Sequence, residues 1–184
     1  MSPAARAASP ERTVFQQAHL VTDLAEAAER WRVTIGAGPF FLAPHHRCDR
    51  FTYRGEPFEA DVSYAFGYAD DLQIQLVQQH DDTPSIYREM FAAGEEGLHH
   101  VGVLVEDFDA ERARLLGEGF EPACELEADG AHAAYFDTRD AIGCFTELHD
   151  TPERIMATFT AWRAAHDGWD GVTRPLRERG DVGT

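Results

Sequence analysis

Apolar and polar positions along the chain follow two alternating rhythms, and their order is repeated. In GLHHVGVLVEDFDAERARLLGEGF, residues 97–120, Val101, Val103 and Val105 alternate with Gly102 and Leu104, the period of a strand with one buried face. Glu106-Asp107 ends that strand, and Asp107 is placed to cap a helix whose apolar positions include Phe108, Ala113, Leu115 and Leu116. Gly117 and Gly119 stop it. The same order stands earlier, in VFQQAHLVTDLAEAAERWRVTIGAGPFF. There a strand runs through Val21, Asp23 caps, a helix carries Leu24, Ala27, Ala28 and Trp31, and Gly36 and Gly38 end it. Setting Asp23 on Asp107 without gaps pairs residues 14–28 with 98–112.

The segments that follow also match. FEADVSYAFGY and LQIQLVQQ read as strands around the turn Ala69-Asp70-Asp71, and AHAAYFDT and CFTELHD repeat that arrangement around residues 139–143. The chain therefore reads as α+β, with two tandem strand–helix–strands modules over about 14–78 and 98–149 in a single domain, 14–150. The connector, 79–97, contains a short capped helix in HDDTPSIYREMFAAGEEG. After Asp150, TPERIMATFTAWRAAHDGW reads as an amphipathic helix from Thr151, with Pro152 in its first turn and Trp162 and Trp169 as buried anchors. Residues 1–13 read as a disordered leader, and those from about Arg174 as a loose polar tail.

Composition narrows the function. The chain has 184 residues, 43% of them hydrophobic, with twelve Phe, enough for one sizeable core. A formal net charge of -17 repels polyanions and argues against a nucleic-acid partner. All sixteen basic residues are arginine, so Schiff-base chemistry and the phosphate-loop lysine are excluded. Cys48, Cys124 and Cys144 are odd in number and form no CxxC pair, which favours a reducing compartment and hence the cytoplasm. The apolar runs are too short for a membrane span.

Strand periodicity then sorts the polar residues. Ile74 and Leu76 face one way, towards a helix, and Gln73, Gln75 and Val77 the other. Phe145, Glu147 and His149 share a face opposite Thr146 and Leu148. His100, Gly102 and Leu104 lie opposite the valines, and His99 is expected on the valine face, as a structural residue. Each module thus has one apolar face under its helix and one face carrying His, Gln and Glu. A glutamate in mid-strand on an enclosed face costs several kcal/mol unless it is paired, protonated or bound to a cation, on the order of 2–7 kcal/mol even for a neutral polar group.

Paired modules with HHVGVLVEDFD opening the second and FTELHD closing it resemble the vicinal oxygen chelate superfamily, which includes glyoxalase I, methylmalonyl-CoA epimerase, extradiol dioxygenases and bleomycin-resistance proteins. The resemblance covers nearly all of residues 14–149. GAGPFF, LQIQLVQQHDDTPSIYR and WDGVTRPLR are similar to a glyoxalase-like branch. It implies paired βαβββ modules curled into an incomplete barrel around one divalent metal, with zinc, cobalt, nickel, manganese and iron all open. It also implies ligands from the first and last strand of each module: His100 and Glu147 in the second, and Gln75 in the first, a glutamine there being similar to the epimerase branch. For the fourth position two residues compete. Counting seven back from the cap, as His100 stands to Asp107, gives Gln16; His19 lies three residues along, on the other face of a regular strand. The count favours Gln16 over His19.

The chemistry the resemblance implies is Lewis-acid stabilisation of an enolate, with a carboxylate moving the neighbouring proton. Glu147 is the first candidate for that base, and Asp61, beside Glu59, the second. His45 and His46 are candidates for the pocket mouth. Tyr64, Phe145, Tyr87 and Arg88 are candidate substrate contacts, with Arg88 suited to a carboxylate or phosphate. The leading reading is a metal-dependent isomerase, epimerase or lyase acting on a small carbonyl or acyl substrate. The alternative is a metal-free ligand-sequestering protein of the bleomycin-resistance type, and an extradiol dioxygenase ranks last. Family members are often dimers, so a homodimer is expected.

Overall fold

A computed structural model of the chain describes residues 12–128 and 130–182. The first module runs β1 (Arg12–Leu20), α1 (Leu24–Ile35), β2 (Phe40–Ala43), β3 (Arg50–Tyr53), β4 (Glu56–Pro57), β5 (Val62–Ala69) and β6 (Leu72–Gln79). A short helix, α2 (Ile86–Met90), leads to β7 (Gly97–Val105), α3 (Phe108–Gly117), β8 (Pro122–Ala128), β9 (Ala131–Phe136), α4 (Arg139–Ile142) and β10 (Phe145–His149). Helix α5 (Glu153–Asp167) and β11 (Leu176–Glu178) complete the described chain.

The helices form where their caps stand. Asp23 accepts from the Glu26 amide at 2.8 Å and Asp107 from the Ala110 amide at 2.9 Å, each satisfying one of the free amides of a first turn. Gly36 closes α1 at φ 73°, a left-handed conformation in which glycine carries no Cβ penalty. Ser85 caps α2 by accepting from the Tyr87 and Arg88 amides.

All the strands described join one curled, unclosed sheet, ordered β11-β2-β5-β6-β1-β7-β10-β9-β8-β3-β4. Its centre is the antiparallel pair β1–β7; reading outwards, β6, β5 and β2 on one side match β10, β9 and β8 on the other, and the β3–β4 hairpin extends the second side beyond β8. The first and last strands of each module are parallel, and the registers coincide. Gln16 stands beside Gln73 and Ala18 beside Gln75, as His100 stands beside Phe145 and Gly102 beside Glu147. Gln16 and His100 therefore occupy equivalent places, as do Gln75 and Glu147.

Buried apolar clusters hold the curled sheet. Leu24, Ala27 and Ala28 of α1 bury Ile74 and Leu76 on one outer face, and Leu115 of α3 packs near Val103, Val105 and Leu148 on the other. Inside, Tyr64, Val77, Tyr87, Tyr135 and Phe145 form the base of the barrel. Each fully buried Leu, Ile or Phe contributes about 1.5–3 kcal/mol by its removal from water.

Several elements differ from expectation. Helix α5 starts at Glu153, with extended Pro152 as its cap, because Pro152 lies at φ -65° and ψ 140°, outside the helical region. The tail after Arg174 is not loose throughout: Leu176–Glu178 adds in parallel to β2. The hairpin β3–β4 was not anticipated; its turn is Arg54-Gly55, both at positive φ. Of the leader expected over 1–13, residues 1–11 lie outside the described residues, and β1 begins at Arg12.

Candidate metal centre

The inner face of the sheet and α5 enclose a cavity of about 100 Å³. Gln16 reaches it from β1, Gln75 from β6, and Glu147 and His149 from β10; Tyr64, Phe66 and Tyr135 add aromatic wall. Ile155, Phe159 and Trp162 of α5 close it, and Arg179 stands at its edge. Trp162 is held there by stacking on Phe41 and Phe66, with ring centroids 5.5 and 5.1 Å away.

His100 is fully buried behind that lining. Its Nε2 is 3.3 Å from Gln16 Oε1 and 3.5 Å from Glu147 Oε2. Gln16 is turned by its amide: Gln16 Nε2 donates to Gln73 Oε1 at 2.6 Å, and Gln73 Nε2 donates to the Tyr68 hydroxyl at 3.1 Å. That chain leaves Gln16 Oε1 facing His100. Gly102 makes room for it, since a Cβ there would lie 2.8 Å from the Phe15 ring and 3.0 Å from Gln16 Cβ. His19, the competing residue, turns the other way, with its ring 4.7 Å from that of Trp31 on α1. Burial, and then the neighbouring His100, hold its imidazole below the ordinary histidine range.

Gln75 Oε1 and Glu147 Oε2 are buried and accept no hydrogen bond, Glu147 Oε2 having only His100 Nε2 facing it at 3.5 Å. Burial by itself pushes the Glu147 carboxyl up, but His100 and His149 pull it down, and the net position is below the ordinary carboxylate range. Glu147 is therefore an anion at neutral pH inside a largely apolar wall. A buried anion that lines the same cavity as an unpartnered amide oxygen suits a bound cation. The separations of 3.3 and 3.5 Å suit neighbouring donors that each lie about 2.0–2.2 Å from one divalent ion. Of the residue types that most often bind metals, the group holds only His100 and Glu147; among the described residues no cluster of three or more His, Cys, Asp or Glu exists. The donor set is one imidazole, one carboxylate and two amides, and it fits a divalent ion bound more weakly than by two histidines.

The other residues singled out from the sequence are placed as follows. Tyr64 lines the cavity, and its hydroxyl lies 3.1 Å from that of Tyr87, which sits in the barrel base beneath it. Phe145 is also in that base, under the Arg139 guanidinium at 4.7 Å. Arg88 donates to the carbonyls of Gln79 and Asp81, outside the cavity lining. Asp61 binds His45 Nδ1 at 2.7 Å, also outside it, whereas His46 lines the cavity with its ring against Tyr64. His99 does not stay with the valines. At the start of β7 it turns towards α2, under Tyr87 and Phe145, and contacts His100.

Sequence reasoning passed over Gln73, Arg179 and the α5 residues. Gln73 carried a usable signal, lying two positions from Gln75 on the same strand face. Arg179 carried none, because the short strand that positions it has no periodicity.

The fold, a curled open sheet built from two matching modules, is the one the comparisons return. The chain belongs to the Glyoxalase/Bleomycin resistance protein/Dioxygenase superfamily, whose family model matches residues 15–136. Among curated proteins none matches. Solved structures share the fold. The Mycobacterium tuberculosis methylmalonyl-CoA epimerase is 19% identical with a TM-score of 0.57, over 78% of this chain and 91% of that one. A hypothetical protein of Bacillus halodurans C-125 is 16% identical with a TM-score of 0.59, over 77% and 96%. A Streptomyces coelicolor methylmalonyl-CoA epimerase variant in complex with 2-nitronate-propionyl-CoA is 20% identical with a TM-score of 0.52, over 79% and 97%.

Proposed function

We propose that this chain is a metal-dependent isomerase or epimerase that exchanges a proton beside the carbonyl of a small carbonyl or acyl substrate. The observation that carries this reading is the group itself: Gln16 and Glu147 face His100, and Glu147 lines the same cavity as Gln75, whose buried Oε1 has no partner. Gln16, Gln75, His100 and Glu147 would hold one divalent ion, which when bound polarises the substrate carbonyl and stabilises an enolate. The rest of the work belongs to the chain. Glu147, ionised at neutral pH, takes the proton from the carbon beside the carbonyl and returns it. Phe66, Ile155, Phe159 and Trp162 exclude water from that exchange, which strengthens every charge interaction within. The likeness to epimerase structures supports an acyl substrate by fold alone.

Incubating the chain loaded with cobalt or nickel in deuterated water, with a panel of small 2-oxo acids, 2-hydroxy ketones and acyl thioesters including methylmalonyl-CoA, tests this directly. Deuterium should enter beside the carbonyl of at least one compound. Glu147→Gln should slow that entry by roughly 10²-fold or more. Tight binding of a panel member without any exchange would instead favour sequestration, a reading that the aromatic wall of Phe66, Phe159 and Trp162 also supports. The protein works as a homodimer in the cytoplasm, which light scattering and cell fractionation check.

A further inference from the structure

Helix α5 carries two rows of side chains that meet at one residue. Ile155, Phe159 and Trp162 recur at helical spacing and line the cavity. Met156, Phe159, Thr160 and Arg163 recur at the same spacing and, with Phe15 and Leu104, line a separate groove of about 220 Å³. Among the described residues Phe159 alone belongs to both linings. Its ring stacks on Phe15 of the groove at a centroid distance of 5.6 Å, and lies 5.8 Å from His149 and 5.9 Å from Trp162 of the cavity. The sheet turns Phe15 towards it. The β1–β7 register shifts between Val14 and Gln16, so Phe15 drops out of the pairing, and a bulge of this kind re-aims a side chain.

We propose that Phe159 sets the length of the acyl group the site accepts: its ring ends the cavity and restricts it to short chains, an assignment that rests on reading this cavity as the seat of an acyl substrate. The cavity, at about 100 Å³, is well under the roughly 300–1,000 Å³ of pockets that hold a drug-sized ligand. A longer chain has to pass the ring, and to do so it must break the Phe15–Phe159 stack. Beyond the ring, Phe15, Leu104 and Met156 offer an apolar bed, with the flexible thioether of Met156 able to follow a chain. The boundary is an aromatic ring without a hydrogen bond of its own. Shortening that side chain therefore joins the two spaces and leaves no polar group unpaired.

Calorimetric titration with straight-chain 2-oxo acids of increasing length, into the protein with and without added cobalt, tests the assignment. Wild-type affinity should peak at a short chain and fall beyond it. In Phe159→Ala the peak should move to longer chains, each methylene that enters the groove tightening binding roughly fourfold. Phe159→Leu, which disturbs the fold less, should move the peak the same way by less. Adding Thr160→Trp to Phe159→Ala fills the groove from its exposed rim and should return the preference to short chains, which general loosening of the fold would not do. An unchanged length profile in a folded Phe159 variant would overturn the assignment. So would a shift that Thr160→Trp leaves in place, or a series of which no member binds either chain. Deuterium exchange with an unmoved profile would sink this assignment and leave the isomerase reading standing; a moved profile without exchange would do the reverse.

Discussion

Gln16 shows how a single side chain is fixed by things remote from it in sequence. Its amide nitrogen is tied to Gln73, its oxygen faces His100, and the absent Cβ of Gly102 leaves the space it occupies. Gly102→Ala should therefore act twice. The new methyl would have to displace Phe15 and Gln16, destabilising the fold by about 1–3 kcal/mol. It should also weaken cobalt binding, and denaturant melts beside cobalt titration separate the two effects. The position of Gln16 was legible in the sequence, because the distance from strand to cap is the same in both modules and the registers of the folded strands coincide. The place of His99 was not. Strand alternation puts it with the valines, but the β1–β7 register shifts at this point and leaves His99 out of the pairing, with its ring against Tyr87 and His100.

At the level of elements, period and punctuation carried most of the information. LQIQLVQQ and CFTELHD alternate cleanly because each strand has one face under a helix and one towards the cavity, and those faces are where the structure has them. What stayed hidden was short or set by tertiary contact. The strands of β3–β4 and β11 are two to four residues long, too short for alternation to show, and they form because an open sheet edge accepts them. Helix α5 was visible as an amphipathic segment, but not its function as the wall that closes the cavity. Trp162→Ala tests that function. Loss of its stacking on Phe41 and Phe66 should cost about 3–5 kcal/mol and lower Tm by on the order of 10 °C. Calorimetry reads the first effect, and an apolar fluorescent probe entering the opened cavity reads the second.

The whole molecule combines a strongly negative charge with carboxylates that the fold holds low. Asp137 is bonded by Arg139 and Arg54, and Glu111 by Arg12 and Arg114; in each case the arginine hydrogen bonds pull the carboxyl below its ordinary range. Glu147 lies below that range as well. A group whose folded pKa is depressed contributes its stability above the unfolded value, and that stability is lost as pH falls through the folded value. Tm should thus change little down to about pH 5 and fall steeply below about pH 4. Asp137→Asn should be less stable at neutral pH and show a shallower fall, as followed by circular dichroism. A steep loss on the alkaline side instead would contradict this ordering of charges.

The central claim is a cation held by Gln16, Gln75, His100 and Glu147, and the metal content of the protein tests it most directly. Protein purified without chelators is measured by plasma mass spectrometry, wild type beside Gln16→Ala, His19→Ala and His100→Ala. Near-stoichiometric divalent metal is expected in the wild type and in His19→Ala, with loss in His100→Ala and depletion in Gln16→Ala. A wild-type chain that stays empty even after cobalt or nickel is added, or one that loses its metal through His19 and not Gln16, would contradict the account.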